Sequence, residues 1–340
     1  MILACDVGGT KTRLALYQLE DGKLIRQQTD TFVSLDYACL EDVAQTFLNK
    51  YKISVTKACV GVPGPIVNGE AHATNLPWKL KEKQIGQALN IPTFKLVNDL
   101  VATAAAVPYL TPDGLLTLHE GEAPNSNKAE LSSGKKDSKM EESIYVVLAP
   151  GTGFGQAFSH FKSGQHYLMA SEGGHADFAP TTEIELELFQ YLKSQYGHVS
   201  YERILSGPGL VNIYTFLKDK GFAPEPPELN KRLREEDPGM VISSTGKVGE
   251  YELCVKALDI FASVLGAQAG NMVLTLIATG GIYLGGGIPA GIHKKLAEGT
   301  TVASYLNKGR LSDLVRKTPL YVILDDHTAL SGAAYLASTV

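Results

Sequence analysis

The sequence predicts an α/β protein assembled from two related halves. Three observations carry that expectation. LACDVGGTKTRLALY (Leu3–Tyr17) reads as an apolar strand, a glycine turn and a second apolar strand. IYVVLAPGTGFGQAF (Ile144–Phe158) repeats the plan, which suggests an internal duplication. Between the two copies, strand-like runs alternate with helical spacing, the pattern of a sheet covered by helices. At 340 residues the chain is long enough for two domains or one large one.

In order along the chain, Tyr37–Tyr51 places Leu40, Val43, Ala44, Phe47 and Leu48 on one helical face. Ala58–Val62 is a short strand ending in Pro63-Gly64-Pro65, and Leu76–Leu89 is helical in part. Thr93–Val97 is a strand that stops at Asn98-Asp99, after which Leu100–Val107 opens an alanine-rich helix. The segment from His119 to Glu142 is rich in Glu, Lys, Ser and Asn and cannot bury much surface, so a flexible polar loop is expected over 119–143. Ile184–Tyr196, Val255–Leu265 and Ala329–Ala337 read as helices, and Gly221–Gly249 as an irregular insertion carrying a short helix. Val273–Ala278 reads as an apolar strand leading into Gly280-Gly281 and Gly285-Gly286-Gly287. Phe261–Gly287 holds no Asp, Glu, Lys or Arg, but Gln268, Asn271, Thr275 and Thr279 interrupt it. A buried helix followed by a buried strand is expected there rather than a membrane span.

A net charge of −5 argues against a phosphate-backbone-binding nucleic-acid partner. The four cysteines, Cys5, Cys39, Cys59 and Cys254, show no CxxC or zinc spacing, and strand-like sequence starts at Ile2 without a basic leader. Reduced thiols in a cytoplasmic protein are the expectation.

The turns suggest how an anion is held. Asp6-Val7-Gly8-Gly9-Thr10 surrounds a concavity with backbone N–H groups and a hydroxyl. An aspartate there makes sense when Mg²⁺, usually through water, stands between it and phosphate oxygens. Gly151-Thr152-Gly153 offers a matching grip from the other half, and the glycines from Gly280 to Gly287 offer bare backbone for a base and ribose. Neither GxxxxGK[ST] nor a GxGxxG opening a helix after the first strand occurs, so a P-loop or dinucleotide site is disfavoured. Asp99, at a strand end, is either a helix cap or a general base on a substrate hydroxyl. In SEGGH, adjacent glycines break the helix that a Glu-x-x-His metal site needs, so Glu172 and His175 suit a polyol instead. Glu202 is a weaker candidate, and Arg13 is assigned to support of the strand pair from the surface.

DVGGT, NDL, APGTGFG, SEGGHADFAP, HVSYERILSGPGL and GGIYLGGGI, in that order over essentially the full length, resemble bacterial-type glucokinases. The resemblance is to the zinc-free branch, within the actin/hexokinase/heat-shock-chaperone ATPase superfamily; the cysteine cluster of the related zinc-containing ROK group is absent after His175. It implies two ribonuclease H-like (actin-like ATPase) α/β domains with an interdomain cleft: 1–110 plus about 325–340, and 111–324. It also implies ATP and Mg²⁺ as cofactors, D-glucose as substrate and a homodimer. Carried over residue by residue, Asp99 matches the catalytic base. Asn98, Glu172, His175 and Glu202 match sugar-hydroxyl ligands, with Asn75 nearby. Asp6 (also the Mg²⁺ residue), Gly8, Gly9 and Thr10 match the first phosphate turn and Gly151, Thr152 and Gly153 the second, with Gly280, Gly281 and Gly286 in the adenosine region. Lys11 stands where the family often has asparagine, and His327-Thr328 also departs from its pattern. The expected reaction is phosphorylation of glucose to glucose 6-phosphate. The alternatives are another hexose (mannose or an N-acetylhexosamine), ADP or polyphosphate as donor, and a non-catalytic sugar-sensing regulator; that last class normally carries a helix-turn-helix before the kinase region.

Overall fold

The computed structural model describes residues 1–72, 76–122, 142–163 and 165–339. It opens with β1 (Ile2–Val7), β2 (Lys11–Glu20) and β3 (Lys23–Val33), then α1 (Leu40–Tyr51) and β4 (Lys57–Val62). A two-stranded pair, β5 (Glu70–His72) and β6 (Lys79–Lys81), precedes α2 (Glu82–Ala88), β7 (Thr93–Asn98) and α3 (Asp99–Ala106). The first sheet has the order β3-β2-β1-β4-β7. Its first three strands form an antiparallel meander, and β4 and β7 run parallel to β1. Strand β1 is sandwiched, which explains its unbroken apolar run. Leu3, Cys5 and Val7 face the cluster that includes Leu40, Val43 and Phe47 of α1, whereas Ile2 and Ala4 face the other side. The five apolar positions of α1 recur at three- and four-residue steps and are all buried. Full burial of side chains of this size stabilises by roughly 1.5–3 kcal/mol each.

The second half comprises β8 (Leu115–His119), β9 (Ser143–Pro150), β10 (Phe154–Lys162) and β11 (Gln165–Ser171). Helices α4 (Glu183–Tyr196), α5 (Gly207–Asp219), α6 (Pro227–Glu235), α7 (Pro238–Gly246) and α8 (Glu252–Leu276) follow. After β12 (Gly281–Leu284) come α9 (Gly287–Gly291), α10 (His293–Leu296), α11 (Thr300–Leu306), α12 (Ser312–Arg316), β13 (Leu320–Ile323) and α13 (Thr328–Ser338). The second sheet reads β11-β10-β9-β12-β13-β8. Apart from β8 at its edge, it repeats the first: an antiparallel meander followed by two strands parallel to the first. The duplicated strand–turn–strand units are thus the first hairpins of two sheets with one topology.

The C-terminal helix returns to the first sheet. Leu330, Ala333, Ala334 and Ala337 of α13 pack with Ile2, Ala4, Ala15, Cys59 and Ala102. The crossing with α3 is close: a Cβ at Gly332 would sit 1.7 Å from the Ala102 carbonyl oxygen, so only glycine fits. Helix α3 also meets β9, β10 and β11, placing it between the sheets. The two stretches of chain that link the halves are bonded to each other, since the Leu324 and Asp325 N–H groups both donate to the Gly114 carbonyl (2.8 and 3.3 Å).

Several expectations change. Val273 lies in α8, which runs from Glu252 to Leu276, and the strand begins only at Gly281, the second residue of the first glycine pair. A charge-free apolar run does not by itself distinguish helix from strand. The rest of that reading holds: α8 is long and apolar enough to cross a membrane, but 83% of its most apolar stretch is buried inside the chain, and every residue of β12 is buried. The insertion from Gly221 to Gly249 carries two helices, α6 and α7, each with proline in its first turn. Only Glu82–Ala88 of Leu76–Leu89 is α-helical. The polar loop over 119–143 falls mostly outside the described residues, as does Asn75.

Candidate active site

The first half of the site is built where β7 gives way to α3. Asn98, not Asp99, is the cap: its Oδ1 accepts from the Leu100 and Val101 N–H groups (3.0 and 3.2 Å), and its Nδ2 donates to the Gly64 carbonyl (3.2 Å). The cap frees Asp99. Its Oδ1 accepts the Leu100 N–H (2.9 Å), its own backbone N–H adds a second bond, and no side chain bonds the carboxylate among the described residues. Burial, and then the neighbouring negative charge of Asp6, push its pKa up to about 6 despite those backbone hydrogen bonds.

Asp6, next to last in β1, stands opposite Arg13 of β2, with 3.8 Å between carboxylate and guanidinium. Burial raises its pKa, and Arg13 opposes the rise. Arg13 reaches on to Asp326 (4.0 Å) and donates to the Asp326 carbonyl (3.5 Å). It therefore flanks the acid and ties the first hairpin to the C-terminal connection, a role that surface support of the strand pair does not describe. The signal was the hairpin itself, since a turn of this length sets residue 6 opposite residue 13. The turn is closed by Gly8 N–H to the Lys11 carbonyl (3.0 Å) and held from behind by buried Ser34, whose Oγ donates to the Gly8 carbonyl (2.8 Å) and lies 2.9 Å from Thr12 Oγ1. Nothing in the sequence points to Ser34, more than twenty residues away. The N–H groups of Gly9 and Thr10 have no acceptor among the described residues, and those of Thr152 and Gly153 match them in the second turn.

The second half gathers Glu172, His175 and Glu202. His175 Nε2 is 3.9 Å from Glu172 Oε2, and its Nδ1 is 3.9 Å from Glu202 Oε1. Gly173–His175 form one short 3₁₀ turn. It lies so close to β10 that a Cβ on Gly174 would come 1.8 Å from the Phe154 carbonyl oxygen. Glu202, the weaker candidate in the sequence, is engaged here: its Oε2 accepts the Phe154 N–H (2.8 Å), at the end of the second turn. The two groups meet at α3 and β10, where Leu100 Cδ1 fills the space over Gly155, only 2.0 Å from where a Cβ would stand.

Gly286, with φ +84°, approaches the Pro150 carbonyl beside the second turn. Gly280 and Gly281 do not. Gly281 pairs with Tyr145 at the start of β9, whereas Leu284 pairs with Leu148 near its end. The pair therefore lies at the opposite end of β12 from Gly286, separated from it by the strand's length of about 10 Å at 3.3 Å per residue. Their grouping with Gly286 near an adenosine is corrected: the glycine pair leads into the strand instead of following it.

A family model described as Glucokinase matches residues 3–340. The chain belongs to the glucokinase family. A glucokinase of Nostoc sp. (strain PCC 7120 / SAG 25.82 / UTEX 2576) is 34% identical over 99% of both chains. The crystal structure of glucokinase from an Antarctic psychrotroph has a TM-score of 0.84 and 30% identity, covering 100% of this chain and 99% of that one. That of glucokinase from Balamuthia mandrillaris in complex with glucose has a TM-score of 0.76 at 22% identity, covering 99% and 93%; at that identity the likeness is one of fold. Membership in this family makes the chain an ATP:D-glucose 6-phosphotransferase, which phosphorylates glucose to glucose 6-phosphate.

Proposed function

We propose that Asp99 is the general base of the glucose phosphorylation. One observation carries this reading: a carboxylate at the N-terminus of α3, held by backbone amides and by no side chain among the described residues, with a pKa raised to about 6, within range of a neutral-pH proton acceptor. Glucose presents its 6-hydroxyl to Asp99 Oδ2. As the oxygen attacks the γ-phosphorus of ATP, its proton passes to Asp99, the O6–P bond forms, and the bond from the γ-phosphorus to the bridging oxygen breaks to release ADP. Glu172, His175, Glu202 and the remaining Asn98 amide hydrogen contact the other hydroxyls, with Asn75 beside them. The turns at Gly8-Gly9-Thr10 and Gly151-Thr152-Gly153 receive phosphate oxygens on their free N–H groups, and Gly286 lies under the nucleoside. Phosphoryl transfer depends mainly on this positioning and on charge neutralisation.

The residues fit a hydrated Mg²⁺ at Asp6. Its carboxylate is largely buried, its charge acts on Asp99, and it accepts no hydrogen bond among the described residues. Mg²⁺ bound there neutralises charge on the phosphates. The repeated sheet order supports two ribonuclease H-like domains of the actin/hexokinase type, 1–110 plus about 325–340 and 111–324, closing over the substrates about the paired connections at Gly114. The spacing of the cysteines supports the zinc-free branch. A cytoplasmic homodimer completes the reading, on the family resemblance.

Asp99→Asn is expected to lower kcat by on the order of 10² or more while leaving glucose binding near wild type. Steady-state kinetics beside glucose titration checks this, and a near-wild-type kcat removes Asp99 from the role.

A further inference from the structure

We infer that Glu202 couples hexose occupancy to the geometry of the second phosphate turn, so that glucose and nucleotide strengthen each other's binding through this side chain. The inference rests on the reading of Glu202 as a hexose contact.

The turn from Gly151 to Phe154 is held at both ends by one segment. At its start, the Gly151 carbonyl accepts the Gly207 N–H (2.8 Å). At its end, the Phe154 N–H donates to Glu202 Oε2 (2.8 Å). The segment between those anchors is itself pinned. Ser206 Oγ donates to the Glu202 carbonyl (2.8 Å) and accepts the Gly209 N–H (2.9 Å), capping α5. Tyr201 N–H donates to the Ala176 carbonyl (3.1 Å), fastening the Glu202 segment to the residue after His175. The other Glu202 oxygen, Oε1, points toward His175, 3.9 Å away. A hydroxyl bound between Oε1 and His175 therefore acts on the carboxylate that orients the phosphate turn. Gly153 fits the same picture: a Cβ there would lie 2.7 Å from Glu202 Oε2, so its missing side chain is space taken by the glutamate. Fixing the carboxylate by one ligand removes an ordering cost that the second ligand otherwise bears, and such coupling is reciprocal by linkage.

The test measures the Kd of a non-hydrolysable ATP analogue with Mg²⁺ by calorimetry, without glucose and with glucose well above each variant's own Kd. The ratio of the two values is the coupling factor. Wild type is expected to give a factor on the order of 10. Glu202→Ala should bring it near 1, and Glu202→Gln, which keeps an acceptor for the Phe154 N–H, should retain most of it. His175→Ala should weaken glucose binding yet leave the factor near wild type at saturation. If Glu202→Ala does not fold, Gly153→Ala, which displaces the carboxylate, should also lose the coupling. A wild-type factor near 1, or a factor preserved in Glu202→Ala or, where that variant does not fold, in Gly153→Ala, overturns the inference. Unchanged glucose affinity in both Glu202→Ala and His175→Ala instead overturns the hexose-site reading, a separate failure visible in the glucose titration alone.

Discussion

The two founding hairpins share strand order, register sense and a glycine turn, yet they hold their charge differently. In β1–β2 the acid belongs to the strand: Asp6, two residues before Gly8, faces Arg13 across the ladder. Two residues before Gly151 stands Ala149, opposite Gly155, and neither carries charge. The second hairpin's acid comes from outside, as Glu202 bonded to the Phe154 N–H. The first turn is braced by Ser34 of the following segment, and the second by the Glu202 carboxylate, whose other oxygen points toward His175. Duplication supplied two similar anion-binding frames. On the proposed reading, both frames receive phosphate, and the placement of charge assigns the metal to the first and makes the second responsive to what occupies the sugar site.

The largest break in that asymmetry is neutralisation of the first hairpin. Asp6→Asn is expected to lower kcat/KM by on the order of 10², comparable to loss of one preorganised electrostatic group. It should also move the acid limb of the pH profile. With Asp99 as the proposed base, its ionised form is the active one, so wild-type kcat/KM should fall below about pH 6. Removing the Asp6 charge lowers the Asp99 pKa and shifts that limb to lower pH; an unmoved limb contradicts the proximity of the two acids. The raised pKa has a stability counterpart. The fold favours protonated Asp99, so this contribution is present below the ordinary value of 3.8 and is lost as pH rises through about 6.

Single methyl groups separate the two turns more finely. Gly8→Ala places a Cβ 2.8 Å from the Lys11 carbonyl oxygen, which cannot swing away, and should cost about 1–3 kcal/mol in denaturant unfolding. Gly153→Ala meets a movable carboxylate instead; it should cost little stability but raise the glucose KM by about tenfold, a loss near 1.4 kcal/mol. Gly151→Ala has the smallest expected effect. Nothing lies within 4 Å of its Cβ, so stability should change by no more than about 0.5 kcal/mol, while the ATP KM rises a few-fold where phosphate packs against it.

What the sequence disclosed follows the range of the interactions. Both hairpins were legible because a strand, a turn and a strand lie within fifteen residues and fix their own register. Asp99 stood out because a strand end followed by an alanine-rich helix is a local pattern. The cap assignment to Asn98 was hidden, since adjacent Asn and Asp are both good caps and only geometry separates them. The bond between Glu202 and Phe154 spans 48 residues and leaves no periodic trace. The glycines at 280 and 281 were misplaced because an uncharged apolar run suits either helix or strand, and that choice decides which end of β12 they occupy.

The most direct test of the central claim is a crystal structure with glucose and a non-hydrolysable ATP analogue bound together. The account predicts an Asp99 carboxylate oxygen within about 2.6–3.2 Å of the glucose 6-hydroxyl, and polyphosphate on the N–H groups of both turns. A 6-hydroxyl facing away from Asp99, or nucleotide seated elsewhere with both turns empty, would contradict it.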